Sequence, residues 1–253
     1  MNEKLIFVLI LIFIFIFLKK KKELFNNSDN NLHIVICATH DNEDYQKLIN
    51  SLKKFNLNYH TICWDKEWTG SGYGMRMQET LDYVNKINEN DIVLYLDGYD
   101  VISLSGIDEL LNKYSQFNYD IVFAAEKGLW PDVSLGYHNL IPNIDQTYPY
   151  LNAQFIGKAG TVKKMLEQAH KHLTADDQGE FWHYYLNHTD ECTLDHNCDI
   201  FQCLHDVDIN NEIGVEDNRV INLQFNSKPI ILHGNGNDGK YKLNKLYDLI
   251  EPY

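Results

Sequence analysis

Residues 91–100 read Asp-Ile-Val-Leu-Tyr-Leu-Asp-Gly-Tyr-Asp, and this stretch decides the fold. The run Ile92 to Leu96 is too short for a helix and shows no alternation. It reads as a strand buried on both faces, the kind found in parallel sheets covered by helices. The run stops at Asp97, where Gly98 permits a sharp turn that brings Asp97 and Asp100 to one point. Two hard oxygen donors there suit a divalent cation. Alone, the pair reads more readily as a solvated strand end beside a turn cap.

Outward from this strand the pattern alternates. Leu32 to Ala38 (LHIVICA) is a second buried strand. Tyr45, Leu48, Ile49, Leu52 and Phe55 then follow helical spacing, Tyr59 to Trp64 is strand-like, and Met77, Leu81, Val84 and Ile87 mark another helix. Ser105 and Asp108 suggest a capping box for a helix facing inward through Ile107, Leu110, Leu111, Tyr114 and Phe117. Asp120 to Ala125 is a further strand. From about residue 127 to 159 the sequence reads as turn-rich. A helix is expected over 160–173, with Thr174 and Asp177 capping the next, and Pro229 to Leu232 is a late strand entering a glycine-rich tail. Strand–helix alternation of this kind predicts an α/β fold: a Rossmann-like, mostly parallel sheet with helices on both faces. No internal repeat or long linker divides it, so residues 32–253 are expected to form one domain.

The 253-residue chain is 44% hydrophobic and 23% charged, which excludes wholesale disorder. Its net charge of −14 repels phosphate backbones and argues against nucleic-acid binding. A polyanionic ligand requires a metal or a local basic group. The five cysteines include no CxxC pair, against a structural zinc site. Cys37 and Cys63 read as buried thiols, whereas Cys192, Cys198 and Cys203 are close enough in sequence for one bridge. Residues 1–22 are a separate object: an apolar run from Leu5 to Leu18, with Lys4 before it and Lys19 to Lys22 after it. It is expected to be a membrane anchor or uncleaved signal, followed by a polar stem at 23–31.

In open α/β sheets ligands bind beyond the carboxyl ends of the strands. Here those ends carry Thr39 and His40, the run Trp64 to Gly74, Asp97 to Asp100, and His233-Gly234-Asn235-Gly236. His233 at a strand end beside a glycine pair is a candidate third metal ligand. Two carboxylates with one imidazole favour Mn²⁺ over Mg²⁺. Lys240 and Lys242 are candidate diphosphate contacts. Trp68, among glycines that lead into a helix carrying Arg76, is placed to stack on a planar base. Asp176 and Asp177 open a helix, where capping alone explains them.

Taken in order, LYLDGYDV, FAAEKGLWP, LNAQFIG, DDQ, LDHNCDIFQ and HGNG resemble the glycosyltransferase domain of procollagen lysyl hydroxylases, and in part the collagen galactosyltransferases. The resemblance covers about residues 32–253 and leaves no room for a hydroxylase portion. It implies a GT-A-type fold and Mn²⁺-dependent hexose transfer from a UDP-sugar. By this resemblance Asp97, Asp100 and His233 are metal ligands, and Thr39, Trp68, Tyr99 and Arg76 (lysine in the family) are nucleotide-sugar contacts. Gly234, Asn235, Gly236 and Lys240 meet the diphosphate. Asp176 and Asp177, the last two of a longer acidic run in the family, face the transferred sugar, and Trp130 lies on the acceptor side. Asn152 opens Asn-Ala-Gln-Phe where the family has Asn-Ser-Gly-Gly.

The implied reaction is retaining transfer from UDP-glucose to galactosyl-hydroxylysine of collagen-like proteins. UDP-galactose transfer to hydroxylysine is the runner-up. A non-catalytic sugar- or collagen-binding module and a metal-dependent phosphohydrolase are the alternatives of other classes, and a homodimer is left open. The resemblance places the domain in an endoplasmic reticulum or Golgi-type lumen. Lys19 to Lys22 favour the cytoplasmic side, so orientation stays open.

Overall fold

In a computed structural model of the protein, residues 31–68, 72–131, 145–169 and 176–250 are described. The expected anchor at 1–22 and residues 23–30 of the stem lie outside them. No helix among the described residues is long and apolar enough to cross a membrane.

The central sheet has six strands: β1 (Leu32–Cys37), β2 (Tyr59–Ile62), β3 (Ile92–Asp97), β5 (Ile121–Glu126), β6 (Tyr150–Lys158) and β7 (Cys192–Leu194), in the order β2-β1-β3-β6-β5-β7. All neighbours pair parallel except β6, which is antiparallel to both β3 and β5. The expected mostly parallel sheet is therefore observed.

Period-two alternation divides the core into two layers. Ile34, Ile36, Ile92, Leu94 and Val122 face α1 (Glu43–Lys54) and α3 (Ile107–Phe117), which bury Leu48, Leu52, Leu110 and Tyr114 against them. Val35, Val93, Tyr95, Phe123 and Phe155 face the other way. They pack with Met77 and Leu81 of α2 (Tyr73–Val84), Val162 and Met165 of α4 (Ala159–Gln168), and Phe181 of α5 (Asp177–Asn187). Both faces are covered, which is why β3 and β5 run apolar up to the acidic residue that ends each of them.

A second sheet of three short strands, β4 (Val101–Ser103), β8 (Phe201–Cys203) and β11 (Ile231–His233), runs in the order β4-β11-β8. The hairpin β9 (Ile213–Glu216) with β10 (Arg219–Asn222), and a final helix α6 (Gly236–Leu249), complete the described elements.

Several expectations are corrected. The turn-rich reading of 127–159 fails at β6, where nine residues form an interior strand. The glycine-rich tail is helical: a Cβ on Gly234 would lie 2.8 Å from Leu243 Cβ and 3.0 Å from the Gly239 carbonyl. Those glycines let α6 pack against the strand it follows. No capping box forms at Ser105 and Asp108. Gly106 is the N-cap of α3, and the Ser105 hydroxyl donates to Glu109. The cap of α5 is Asp176, which accepts from Gly179 N–H at 2.9 Å, while Thr174 lies outside the described residues. All five cysteines are free and buried, so no bridge joins Cys192, Cys198 and Cys203.

Candidate active site

Two turns of the chain converge on one point. Asp97 ends β3, Asp100 immediately precedes β4, and His233 ends β11. β11 pairs antiparallel with β4, placing His233 opposite Val101. The Gly234 N–H donates to the Asp100 carbonyl at 2.7 Å. A Cβ on Gly98 would lie 2.5 Å from the Cys37 carbonyl and 2.7 Å from Ala38 Cβ, so only glycine allows this turn between the two carboxylates. His233 Nε2 consequently lies 3.5 Å from Oδ2 of both Asp97 and Asp100. The three candidate donor atoms are all within 4.8 Å of one another. Two carboxylates and a buried imidazole so arranged fit a divalent cation.

A buried cation of the protein's own stands beside this cluster. Arg76 from α2 donates through Nη1 to Asp97 Oδ1 at 2.8 Å and through Nε to Asp177 Oδ2 at 2.5 Å, and its Nη2 also meets Asp177. Asp177 is 2% exposed. The carboxylates that share the guanidinium diverge. Burial works against ionised Asp97, but Arg76 and His233 outweigh it and hold the carboxyl below its ordinary value. Burial pushes Asp177 up to about 6, with Asp97 and Asp176 adding to the rise and Arg76 opposing it. Burial likewise disfavours charged His233, and Asp100 and Asp97 overcome it, so the imidazole is raised.

These groups line a cavity of about 460 Å³ that Asn152, Trp130, Asn235 and Gly236 also reach, a volume proper to small-molecule sites. Trp130 is 53% exposed. Its carbonyl accepts from Trp182 Nε1 at 3.1 Å and its indole donates to Asp176 Oδ2 at 3.3 Å. The expected residues that fall outside the lining have other settings. The Tyr99 hydroxyl receives the backbone N–H groups of Thr39 at 2.8 Å and His40 at 2.9 Å. Trp68 is half exposed and packs over Gly72. Lys240, expected at the diphosphate, pairs with Asp44 at 2.7 Å. Gly234 is buried against α6, and Asp176 serves as helix cap.

Sequence reasoning passed over Glu126, the last residue of β5. It accepts from Asn152 Nδ2 at 3.2 Å, Gln178 Nε2 at 2.8 Å and Asn235 Nδ2 at 2.5 Å. Three side-chain amides from three elements are thus oriented by one buried carboxyl, which burial raises against the donors from Asn152 and Gln178. The only signal was its place in FAAEKGLWP. Gln154 on β6 is fully buried, and its side-chain amide helps to hold the Asp97 carboxyl below its ordinary value.

The family described as PLOD GT domain matches residues 28–253. The chain belongs to this family. Its GT-A-type expectation agrees with the sheet, in which β6 is the one antiparallel strand. This PLOD GT domain is 32% identical to Uncharacterized protein R699 of Acanthamoeba polyphaga mimivirus, over 91% of this chain and 52% of that protein. It is 30% identical to Multifunctional procollagen lysine hydroxylase and glycosyltransferase LH3 of Rattus norvegicus, over 85% of this chain and 31% of that protein. Among solved structures it is similar to mouse Xyloside xylosyltransferase 1 in its apo form. That match has a TM-score of 0.48 and 14% identity over 83% of this chain and 99% of the other. The PLOD GT domain spans about a third to a half of the length of these curated relatives.

Proposed function

We propose that the chain transfers a hexose from a UDP-sugar in a Mn²⁺-dependent reaction, preferring UDP-glucose as donor and galactosyl-hydroxylysine of collagen-like chains as acceptor. One observation carries this reading: a single cavity holds the triad Asp97, Asp100 and His233 and, across Arg76, the buried carboxylate of Asp177. Family membership and the similarity to the rat lysine hydroxylase and glycosyltransferase support it.

The triad would hold the cation, which when bound supplies compensating charge for the departing UDP diphosphate in an otherwise acidic protein. Arg76 keeps Asp177 ionised at neutral pH despite its burial. Asp177 then faces the anomeric carbon and stabilises the positive charge that develops there. Asp176 fixes the start of α5 and, through the Trp130 indole, the position of the ring at the mouth where the acceptor enters. Glu126 holds the Asn152 and Asn235 amides toward the donor. Trp68 stacks on the base, Thr39 and Tyr99 set the neighbouring turn, and Gly236 with Lys240 meets the phosphates once Lys240 exchanges Asp44 for them. Residues 5–18 anchor the domain to a membrane.

A donor screen tests the reading. The purified chain is given Mn²⁺ with UDP-glucose or UDP-galactose, and UDP release is followed with and without a galactosylated hydroxylysine peptide. Release from UDP-glucose that rises with the peptide is expected. Release confined to UDP-galactose with plain hydroxylysine reassigns the sugar, and no release from either donor rejects the activity.

A further inference from the structure

Cys37 is the last residue of β1 and Cys63 the first after β2. Their sulfurs lie 3.5 Å apart, with the Cys37 thiol donating to Cys63 Sγ. Cys192, Cys198 and Cys203 are also free and buried, yet this is the one thiol–thiol contact among the described residues. β1 and β2 are parallel neighbours whose last registered pair is Cys37 with Ile62, and the Ala38 N–H donates to the Ile62 carbonyl at 3.2 Å. Adjacent strands sit at a spacing that falls within the range bridged by disulfides. Cys63 has left the strand with φ +65°, a left-handed conformation rare for a residue with a side chain. In that conformation its sulfur meets Cys37.

We propose that Cys37 and Cys63 form a reversible disulfide, a modification site that ties the end of β1 to the segment leading from β2 into α2. The oxidant is a peroxide. The Cys63 sulfur attacks one oxygen of hydrogen peroxide, the O–O bond breaks, and hydroxide leaves as a sulfenic acid forms. The Cys37 sulfur displaces that hydroxyl, the S–S bond closes, and the thiol protons depart in water. Two thiols give up two electrons, the peroxide takes them, and two waters result. The hydrogen bond from Cys37 lowers the Cys63 thiol below its ordinary value, which favours Cys63 as the attacking sulfur.

The tie bears on the cavity through neighbours already described. Cys37 is in register with Asp97, and its carbonyl occupies the space beside Gly98. The tethered segment carries Trp68 and enters the helix of Arg76. Oxidation therefore stiffens one wall of the site. None of this depends on which sugar is transferred.

The experiment treats the reduced full chain with hydrogen peroxide, alkylates it under denaturing conditions and maps the peptides without reduction. The expected result is a Cys37–Cys63 cross-linked peptide that dithiothreitol removes, with Cys192, Cys198 and Cys203 still alkylated. Oxidation should raise Tm on the order of 5 °C, as a link that closes a loop of this size does, and Cys63→Ser should abolish both the link and the shift. Should that variant fail to fold, the map of the unaltered chain decides alone. Five alkylated cysteines after peroxide, a cross-link through any of the other three, or Cys63 found only as sulfinic acid would overturn the proposal.

Discussion

Two arginines of this protein bind carboxylates, and the balance of charge around them is opposite. Arg219 on β10 grips Glu109 of α3 with two bonds, Nη1 to Oε2 at 2.9 Å and Nη2 to Oε1 at 3.1 Å. The same carboxylate takes the Ser105 hydroxyl and Lys113 Nζ. One anion there has two cations, and the arrangement is a stitch between a helix and a hairpin. Arg76 instead serves Asp97 and Asp177 alone, beside Asp100, Asp176 and Glu126. Negative charge exceeds the single guanidinium, and all of these carboxylates except Asp176 line one cavity. A structural pair is closed in charge. A site that is to bind a cation together with a dianionic substrate needs such an opening, and that deficit of positive charge distinguishes the Arg76 cluster from the stitch and supports the proposed function.

Removing each arginine should separate the two most strongly. Arg76→Met leaves buried Asp177 without its cation and Asp97 with His233 alone, and should cost about 3–5 kcal/mol in urea unfolding, whereas Arg219→Met should cost about 1 kcal/mol. Equal losses would erase the distinction. Asp177→Asn keeps size and should leave folding and UDP affinity nearly intact while lowering turnover on the order of a hundredfold. Wild-type turnover in that variant would make Asp177 a helix residue only. Glu126→Gln, which turns an amide donor toward Asn152, Gln178 or Asn235, should lower turnover roughly tenfold with a smaller change in Tm. A loss of Tm without loss of turnover would move Glu126 out of the site.

The smallest effect concerns the stitch. Burial opposes ionisation of Glu109, but Arg219, Ser105 and Lys113 outweigh it and lower its carboxyl to about 2. A depressed folded-state pKa contributes stability above the ordinary value of 4.5 and loses it as pH falls from there toward 2. For a partly exposed group this amounts to about 1 kcal/mol after screening. Glu109→Gln should therefore flatten that part of the acid-unfolding curve, and an unchanged curve would show that the pair contributes nothing.

The sequence disclosed the parts of the molecule that repeat a strong period. β3 and β5 are continuous apolar runs, β1 is one broken only by His33, and α1 and α3 carry clean stripes, so half of the sheet and the Asp97–Asp100 turn could be read directly. β6 could not be, because Asn152 and Gln154 interrupt its apolar residues and a register shift opposite Phe123 and Ala124 breaks its pattern. Helix α6 was hidden by Gly234, Gly236 and Gly239, whose meaning lies in contacts that only the fold creates. The short strands β4 and β8 are three residues each, below any periodicity, whereas β11 shows in the apolar run after Pro229; β4 and β8 flank it and bring its His233 to the carboxylates. Within the site, residue types pointed to the candidate triad Asp97, Asp100 and His233, while the amide hub at Glu126 and the double grip of Arg76 arise from elements distant in sequence.

The most direct test of the central claim is UDP release from UDP-glucose, measured for the unaltered chain and for Asp100→Ala, each with Mn²⁺ and with EDTA. Release is expected only from the unaltered chain with Mn²⁺, with loss in EDTA, recovery when Mn²⁺ is restored, and a folded but inactive variant. Undiminished release in EDTA, or from Asp100→Ala, would contradict that claim.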